Sequence, residues 1–356
     1  EAVRAIKDSL SNNYGNPSSI HYSGIEAGNA VNKVREKIAR LINARPNEII
    51  FTSGGTESNN LCIKGIVKAS KKNHIITSSI EHASVFNTCE SLEGCRVTYV
   101  KVDKGGFVSP KEVEKTITKS TALVTIMHAN NEVGSIQPVE EIGRICRKRN
   151  VPFHTDAVQS FLKVPIDVEK MNISAMSLSS HKVHGPKGVG VAYVREGTII
   201  EPMMNGGRHE FGLRAGTQNV PGIAGFGKAA DVWKYSEVKG LRDYMQGRIM
   251  REVPYAVLNS PRSRVLPNII NVSFPGLEGE SILLHLSSLG VAVSTGSACH
   301  EREIKVSHVL NAMGIQKDIA KGAVRFSLSR YTTRKEIDYA VKSLKTVIES
   351  LRRLEQ

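Results

Sequence analysis

Two hydroxyls, an imidazole and an amine follow directly on an apolar run in the middle of this chain. Ile173–Leu178 is followed by Ser179, Ser180, His181 and Lys182, and then by a segment with two glycines and a proline. The apolar run is typical of a buried strand, and glycine and proline favour an irregular loop after it. A partly desolvated lysine at the end of a sheet strand can lose its proton near neutral pH and attack a carbonyl carbon. The segment therefore indicates a Schiff-base lysine, with a surface lysine on a basic loop as the alternative.

A glycine-containing loop precedes a predicted helix near the start of the chain. Gly54 and Gly55 let the backbone approach a ligand closely, and Thr56 is expected to cap the helix that follows. Exposed N–H groups at a helix N-terminus bind phosphate. The loop is a candidate phosphate site, although glycine turns before helices are common.

Three further loops place polar side chains after strand-like runs. They contain the pair Glu81-His82, the run 128–134 with Asn131, and the run 154–159 with Asp156 and Gln159. A lone histidine is often structural, whereas the density of polar residues in 128–134 is unusual for a connecting turn. A carboxylate that ends a buried strand, as Asp156 does, is costly unless a cation lies beside it.

Together the five loops fit one cofactor chemistry. A lysine amine condenses with an aldehyde, an aspartate keeps a pyridine nitrogen protonated, and a helix N-terminus with hydroxyls holds a phosphate. Pyridoxal 5'-phosphate needs all three functions, so we predict it as the cofactor.

Alternating strand-like and helix-like segments must position these loops. Strands are predicted at 49–52, 75–76, 97–102, 122–127, 151–155, 175–178 and 189–194, with helices at 56–70, 82–91, from 109–110, and at 138–149. Such alternation predicts an α/β fold with a mostly parallel sheet and helices on both faces. After residue 207 a long helical stretch, 220–252, leads to a smaller unit with strands at 268–273, 291–294 and 324–328 and helices at 278–289 and from 333. We predict a large domain over 1–237 and a small domain over 238–356.

Composition restricts the function classes. Among 356 residues, 40% are apolar and 23% charged, as in ordinary globular proteins. No apolar run is long enough to span a membrane and no signal peptide is visible, so we expect a cytoplasmic protein. The net charge of +14 favours acidic partners, but the few aromatic side chains make nucleic-acid binding an unlikely main function.

The cysteines indicate neither a zinc site nor a disulfide framework. There are five, none in CxxC spacing, and we predict no metal. Four are expected to pack as small hydrophobes. Cys299 differs because small residues precede it and a strongly polar run follows it; on this pattern alone it is either reactive or an incidental loop cysteine.

At the level of motifs, the chain resembles the cysteine desulfurases of the NifS/IscS type, within the class V aminotransferase-like family of fold type I. The resemblance runs from Gly15 to the C-terminal helix, and the motifs that carry it are Thr52–Ser58, Glu81-His82, Asn130-Asn131-Glu132, Asp156 with Gln159, His181-Lys182, Gly212–Thr217, Ser297-Ala298-Cys299 and Arg325–Leu328. It implies a homodimer with a large seven-stranded-type sheet domain and a smaller α/β C-terminal domain. The family's opening strand is absent from this sequence.

The resemblance implies a role for each matching residue. Lys182 would hold the cofactor covalently and move the substrate Cα proton, Asp156 would pair with the ring nitrogen, and Gln159 would hydrogen-bond the ring hydroxyl. His82 would stack on the ring and transfer protons. Lys187 is the alternative to Lys182, but it lies beyond the Gly-Pro turn and no histidine precedes it.

Phosphate and substrate ligands are implied in the same way. The phosphate would be held by Thr56, Ser179 and His181, beside Gly55, and by Thr217 of a second subunit. Asn131 would contact cofactor or substrate, and Arg325 would bind the substrate carboxylate as a bidentate partner.

Cys299 is the nucleophile that the resemblance implies. It would take sulfur from L-cysteine as a persulfide, leave L-alanine, and pass the sulfur to an acceptor such as an iron–sulfur scaffold or a tRNA-thiolation pathway. The alternatives are another class V enzyme (a selenocysteine lyase or an aminotransferase), a non-catalytic sulfur-pathway scaffold, and a nucleic-acid-binding module. An aminotransferase does not need a nucleophilic cysteine, and the presence of Lys182, Asp156, His82 and Cys299 argues against loss of catalysis.

Overall fold

The computed structural model describes residues 1–231, 235–295 and 306–354. No helix within these ranges is both long enough and apolar enough to cross a membrane. The chain forms two compact units. The first comprises Glu1–Val100, Pro110–His128 and Pro138–Trp233, and the second comprises Lys101–Ser109, Ala129–Gln137 and Lys234–Gln356. The predicted domains were each one continuous stretch, whereas two short segments from the first half of the chain belong to the second unit.

A seven-stranded sheet forms the centre of the first unit. Its strands are β1 (Ile49–Thr52), β2 (His74–Ser78), β3 (Arg96–Val100), β4 (Thr121–Thr125), β5 (Phe153–Asp156), β6 (Ala175–Ser179) and β7 (Gly190–Val194). The strand order is β1-β7-β6-β5-β4-β2-β3. Strands β2 to β6 pair in parallel, and β7 is antiparallel to both β6 and β1, so β1 runs in the same direction as β6. The predicted α/β class with a mostly parallel sheet is confirmed.

The strands of this sheet are almost entirely buried, as expected when helices cover both faces. All residues of β1, β2, β4, β5, β6 and β7 are buried, and only the edge strand β3 is partly exposed. One core cluster includes Ile50, Ile63, Ile66, Ile75 and Leu123. β-branched side chains therefore form much of the packing that fixes the strand ends.

Among the residues that the structure describes, the first unit contains seven α-helices. They are α1 (Ala2–Asn12), α2 (Tyr22–Leu41), α3 (Gly55–Ala69), α4 (Ala83–Glu90), α5 (Pro110–Thr116), α6 (Val139–Lys148) and α7 (Val220–Ala230). α6 shows why these sequences are helical: Val139, Ile142, Gly143 and Cys146 form a buried stripe, with acidic residues in the first turn and basic residues in the last. An added Cβ at Gly143 would lie 1.9 Å from the carbonyl oxygen of Met171, so this close approach requires glycine.

In the part of the chain that the structure describes, the second unit contains a three-stranded antiparallel sheet and five α-helices. The elements are α8 (Tyr235–Glu252), β8 (Val257–Leu258), β9 (Ile269–Ser273), α9 (Gly279–Ser288), α10 (His308–Ala312), α11 (Lys317–Lys321), β10 (Ala323–Ser327) and α12 (Arg334–Leu354), with strand order β10-β9-β8. Its core includes Val272, Phe274, Ile282, Val324 and Leu344.

Two local predictions in this region are wrong. The segment 291–294 is not a strand: Gly290, at φ 76°, turns the chain after α9, and the Val291 N–H donates to the Leu286 carbonyl instead of a neighbouring strand. Only Ser294 pairs with β10, in an isolated bridge to Arg325. The predicted continuous stretch 220–252 consists of two helices, α7 and α8.

Candidate cofactor site

Predicted site residues of the first unit lie at one edge of the seven-stranded sheet. Asp156 is the last residue of β5, Ser179 is the last residue of β6, and Gly55 begins α3 shortly after β1. His82 follows β2 and occupies the N-cap of α4. Because these strands run in the same direction, their carboxyl ends share an edge, which is where open α/β sheets bind ligands.

A chain of hydrogen bonds joins Asp156 to His82 through two residues of neighbouring helices. Asn59 Nδ2, on α3, donates to Asp156 Oδ2 (2.8 Å) and to Ser84 Oγ (2.8 Å). The Ser84 hydroxyl lies 2.8 Å from His82 Nδ1, and the Ser84 backbone N–H donates to the same nitrogen (3.1 Å). The aspartate and the histidine are thereby fixed relative to each other.

This network also assigns the proton on the His82 ring. Nδ1 accepts a hydrogen bond from the Ser84 backbone, so it carries no proton in the neutral ring. The proton of neutral His82 is therefore on Nε2, and the exposed ring presents Nε2 as a donor.

Asp156 is a buried carboxyl group in need of a cation. Only 6% of the residue is exposed, and burial raises its pKa. Hydrogen bonds from Asn59 and from the Val158 backbone N–H, and the charges of His82 and Lys182, oppose this increase without cancelling it. Each carboxylate oxygen can accept more than one hydrogen bond, so a protonated pyridine nitrogen suits this position.

The first turn of α3 has the properties of an anion site, although one prediction about it is wrong. Gly54, not Thr56, occupies the N-cap, and it provides no side-chain cap for the N–H groups of the first turn. Thr56 is the exposed second residue of the helix. An added Cβ at Gly55 would lie 2.6 Å from Val158 Cγ2, so the glycine permits this turn to pack against the loop after β5. Uncapped N–H groups and a hydroxyl are a phosphate-binding combination.

Ser179 and His181 lie together at the end of β6. Ser179 Oγ is 2.8 Å from His181 Nδ1. Burial first, and then the positive charges of Lys182, Lys187 and Lys163, lower the pKa of His181. The concentration of positive charge around the imidazole favours an anionic ligand here.

Lys182 is half-buried in a 3-10 turn, 180–183, directly after β6. Its charge lowers the pKa of Asp156 and of His181. The loop beyond it is tightly closed: the Gly185 N–H donates to the Ser180 carbonyl (3.0 Å), and a Cβ at Gly185 would lie 2.0 Å from Ser180 Oγ. Lys187, the alternative candidate, is exposed.

Gln159 and Thr217 complete the predicted cofactor ligands of this unit. Gln159 is half-buried, and its Oε1 accepts a hydrogen bond from the buried Lys163 Nζ (3.3 Å). Thr217 is exposed on a segment that a buried ion pair fastens to the unit: Arg35 donates to both carboxylate oxygens of Glu210, at 2.9 and 2.8 Å. No second copy of the chain is described, so the cross-subunit role of Thr217 stays a prediction.

Sequence reasoning missed Asn59 and Lys163, and it named Glu81 without a role of its own. Asn59 could have been found one helical turn after Thr56, and Lys163 one turn after Gln159. Glu81 is fully buried, accepts hydrogen bonds from the Met127 N–H (2.9 Å) and from Ser78 Oγ (2.5 Å), and joins the ends of β2 and β4. Burial raises the pKa of Glu81 to about 8, so the carboxyl is largely protonated at neutral pH.

The histidine that begins the Asp156 loop is structural. His154 Nδ1 lies 2.8 Å from Thr125 Oγ1, its Nε2 lies 3.0 Å from Ser177 Oγ, and burial lowers its pKa to about 3. It therefore stays neutral and links β4, β5 and β6 from within the core.

The two predicted substrate residues are brought together within the second unit. Arg325 Nη1, on β10, donates to the Asn131 carbonyl (2.9 Å). Asn271, the β9 partner of Arg325, donates from Nδ2 to the Glu132 carbonyl (3.2 Å). Burial lowers the pKa of Arg325, yet a guanidinium remains charged at neutral pH.

Cys299 lies outside the described residues. Three of the four described cysteines, Cys62, Cys89 and Cys146, are buried, and burial raises their pKa to about 12. Cys95 is partly buried, and burial raises its pKa as well. None of these four thiols has the depressed pKa of a reactive cysteine. Within the same part of the chain, no cluster of His, Cys, Asp and Glu could hold a metal ion.

Relatives of known name cover almost the entire chain. It is 46% identical over 362 residues to the cysteine desulfurase IscS of Dictyoglomus turgidum, a match that covers 99% of this chain and 92% of the relative. It is 45% identical over 365 residues to the cysteine desulfurase IscS of Methanosarcina thermophila, with 99% and 90% covered.

Solved structures agree with these sequence matches. A NifS-like protein superposes with a TM-score of 0.91 at 40% identity, covering 98% of this chain and 95% of that one. SspA in complex with cysteine superposes with a TM-score of 0.84 at 40% identity, covering 93% and 96%. The resemblance to cysteine desulfurases of the NifS/IscS type and the predicted fold type I are confirmed.

The family model that describes class-V aminotransferases matches residues 1–340. Members of that family depend on pyridoxal 5'-phosphate, and the buried Asp156 carboxyl, the uncapped first turn of α3 and the Lys182 loop fit this cofactor. The chain therefore belongs to the class-V aminotransferase family of pyridoxal-phosphate-dependent enzymes.

Proposed function

We propose that this protein is a cysteine desulfurase that converts L-cysteine to L-alanine and carries the sulfur as a persulfide on Cys299. The observation that carries the proposal is the network that fixes Asp156 and His82 at the sheet edge where the Lys182 loop begins. The names of relatives at 45–46% identity support cysteine as the substrate.

Each cofactor function has a candidate residue in the first unit. When bound, pyridoxal phosphate supplies an electron sink for the substrate carbon atoms. Asp156 would accept a hydrogen bond from the ring nitrogen, and its burial would make that charged contact strong. The N–H groups at the start of α3, with Thr56, Ser179 and His181, would bind the phosphate, and a second copy of the chain would contribute Thr217.

Proton transfer is assigned to Lys182 and His82. Lys182 would hold the cofactor through its amine and would move the substrate Cα proton. His82 would stack on the ring, and its Nε2–H is available to donate because Nδ1 already accepts a hydrogen bond from the Ser84 N–H. Ser84 and Asn59 therefore keep Nδ1 of His82 in use as an acceptor, so the neutral ring donates its proton from Nε2.

Arg325 and Asn131 are proposed to bind the substrate. The planar guanidinium can bind a carboxylate through two parallel hydrogen bonds. Its bond to the Asn131 carbonyl occupies Nη1 and fixes the plane of the group. Because burial removes competing water, an α-carboxylate bound here is held more strongly than on an open surface.

Sulfur transfer needs a thiolate, and Cys299 is the proposed one because the four described cysteines are unsuited to the role. The Cys299 sulfur attacks the sulfur of the bound substrate. A sulfur–sulfur bond forms, the substrate Cβ–S bond breaks, and its electron pair stays on the carbon skeleton, which takes up a proton to become alanine.

The wider setting is part of the same proposal. We infer a cytoplasmic homodimer that hands the persulfide sulfur to an acceptor protein such as an iron–sulfur scaffold, or to tRNA thiolation. The net charge of +14 suits an acidic acceptor.

The decisive experiment measures alanine formation from L-cysteine by cofactor-loaded protein with a reductant present. We expect alanine from the wild type, none from Cys299→Ser, and wild-type rates from Cys95→Ser, the matched control at the partly buried described cysteine. Persulfide on Cys299 should be visible by mass spectrometry when the reductant is omitted. No alanine from wild-type protein that has bound cofactor would overturn the proposal, and equal alanine from Cys299→Ser would remove Cys299 from it.

A further inference from the structure

Lys163 is a buried cation beside a proposed cofactor ligand. Only 2% of the residue is exposed, although lysine is among the side chains least often buried. It lies four residues after Gln159 in a pair of tight turns, in which the Phe161 N–H donates to the Ala157 carbonyl (2.9 Å) and the Val164 N–H to the Ser160 carbonyl (3.1 Å). This backbone brings the Lys163 Nζ to 3.3 Å from Gln159 Oε1.

The contact determines which way the Gln159 amide faces. An ammonium group has three donors and no acceptor, so it can bind the amide only through the oxygen. The Gln159 NH₂ group must then point away from Lys163. This conclusion depends on the chemistry of the two groups rather than on the assignment of the amide atoms.

The Lys163 charge also reaches the ligand side of this loop. After burial and the charges of Lys182 and Lys187, Lys163 contributes to the lowered pKa of His181. The ammonium therefore acts on the same region as the proposed phosphate and ring contacts.

We propose that Lys163 is a positioning residue that holds the Gln159 amide so that its NH₂ group donates to the ring oxygen of the cofactor. The proposal rests on the proposed function, since it needs Gln159 to contact that oxygen. Without Lys163 the amide can turn over and present its own oxygen to the ring oxygen, which replaces an attraction by a repulsion.

The bound cofactor reports on this contact through its visible absorption. A hydrogen bond donated to the ring oxygen, and a cation nearby, favour the form of the chromophore that has lost a proton. Loss of either raises the pH at which the absorption spectrum changes. A merely structural role for Lys163 would not move this midpoint.

The test is a pH titration of the absorption spectrum of the loaded enzyme. We expect Lys163→Met to raise the midpoint by about one pH unit, and Lys163→Arg, which keeps the charge and the donors, to restore most of the shift. Lys187→Met is the control for loss of a nearby exposed positive charge, and we expect a clearly smaller shift. If Lys163→Met does not retain cofactor, Lys163→Gln provides the same comparison.

A second set of variants separates this inference from the proposed function. We expect Gln159→Ala to raise the midpoint, and the double variant Gln159→Ala/Lys163→Met to add little to it. A shift in Gln159→Ala with none in Lys163→Met would overturn the role of Lys163 and leave the proposed site intact. If the midpoint shifts of the two single variants add in the double variant, Lys163 does not act through Gln159 and the proposal is overturned. No shift in Gln159→Ala would overturn both this inference and the proposed ring contact, while alanine formation still tests the reaction itself.

Discussion

Asn59 should control how tightly the protein binds its cofactor, although it is not itself a proposed cofactor ligand. It is completely buried, and its amide donates at 2.8 Å to the Asp156 carboxylate and at 2.8 Å to Ser84, the partner of His82. Asn59→Ala removes both bonds at once. The pKa of Asp156, already raised by burial, should rise further, because Asn59 is the strongest opposing influence on it.

The magnitude follows from the type of hydrogen bond that is lost. A hydrogen bond to a charged group contributes about 1.5–3 kcal/mol. Since 1.4 kcal/mol corresponds to tenfold in an equilibrium constant, we expect cofactor binding to weaken by about 10- to 150-fold. The effect should be smaller at high pH, where Asp156 ionises despite the loss.

The assay is a titration of cofactor-free protein with pyridoxal phosphate, followed by absorbance. Asn60→Ala is a matched control on the same helix, because its amide donates only to the Thr56 backbone carbonyl at an exposed position (3.0 Å). We expect that variant to bind within about twofold of the wild type. Equal affinity of Asn59→Ala and the wild type, or an equal loss in Asn60→Ala, would refute the reasoning.

Two further predictions concern buried carboxyl groups. Glu210→Ala leaves the Arg35 guanidinium buried without its partner, so we expect the free energy of unfolding in urea to fall by about 3–5 kcal/mol. For the control Glu196→Ala, in the exposed pair with Arg45, we expect a decrease of at most about 1 kcal/mol. Similar decreases in the two variants would contradict this prediction. Burial raises the folded-state pKa of Glu81 to about 8, so the wild type loses stability as the pH rises from the ordinary carboxyl pKa towards 8. Glutamine does not titrate, so Glu81→Gln should become more stable relative to the wild type as the pH rises from 5 to 9. A difference between the two proteins that does not change with pH would show that Glu81 is ionised throughout.

The elements that position the site could be predicted because they follow local rules. Asp156 and Ser179 were expected at strand ends from the apolar runs before them, and both are the last residues of their strands. Thr56 was misplaced as the cap because serine and threonine are frequent N-caps, whereas Gly54 takes that position with a backbone that few other residues adopt (φ 156°, ψ −178°). Rules based on average preference fail where the backbone conformation decides the residue type.

Contacts over long sequence separations were beyond such rules. Asn59 has no motif of its own, and its role depends on the packing of α3 that brings it beside Asp156, 97 residues later in the chain. The segment 291–294 has the β-branched alternation of a strand, but the turn at Gly290 redirects its first N–H group into α9. Segments 101–109 and 129–137 belong to the second unit, but no periodic pattern in the sequence indicates this.

The second unit is built from segments that lie far apart in the sequence, so its folding depends on the order in which the ribosome synthesises them. The Asn131 carbonyl can accept its hydrogen bond from Arg325, 194 residues later, only after that residue has been synthesised, and the Gly134 carbonyl can accept from the Leu266 N–H only after Leu266 has been synthesised. The described strands of the first unit are complete once residue 194 has emerged, whereas residues 131–134 gain their hydrogen bonds to Arg325 and Leu266 only when the C-terminal half follows. Domains generally fold in order of synthesis, so for much of translation residues 131–134 are without the contacts that the second half of the chain later provides. A chaperone that binds the half-made protein would therefore find this segment before its contacts with the second half of the chain have formed.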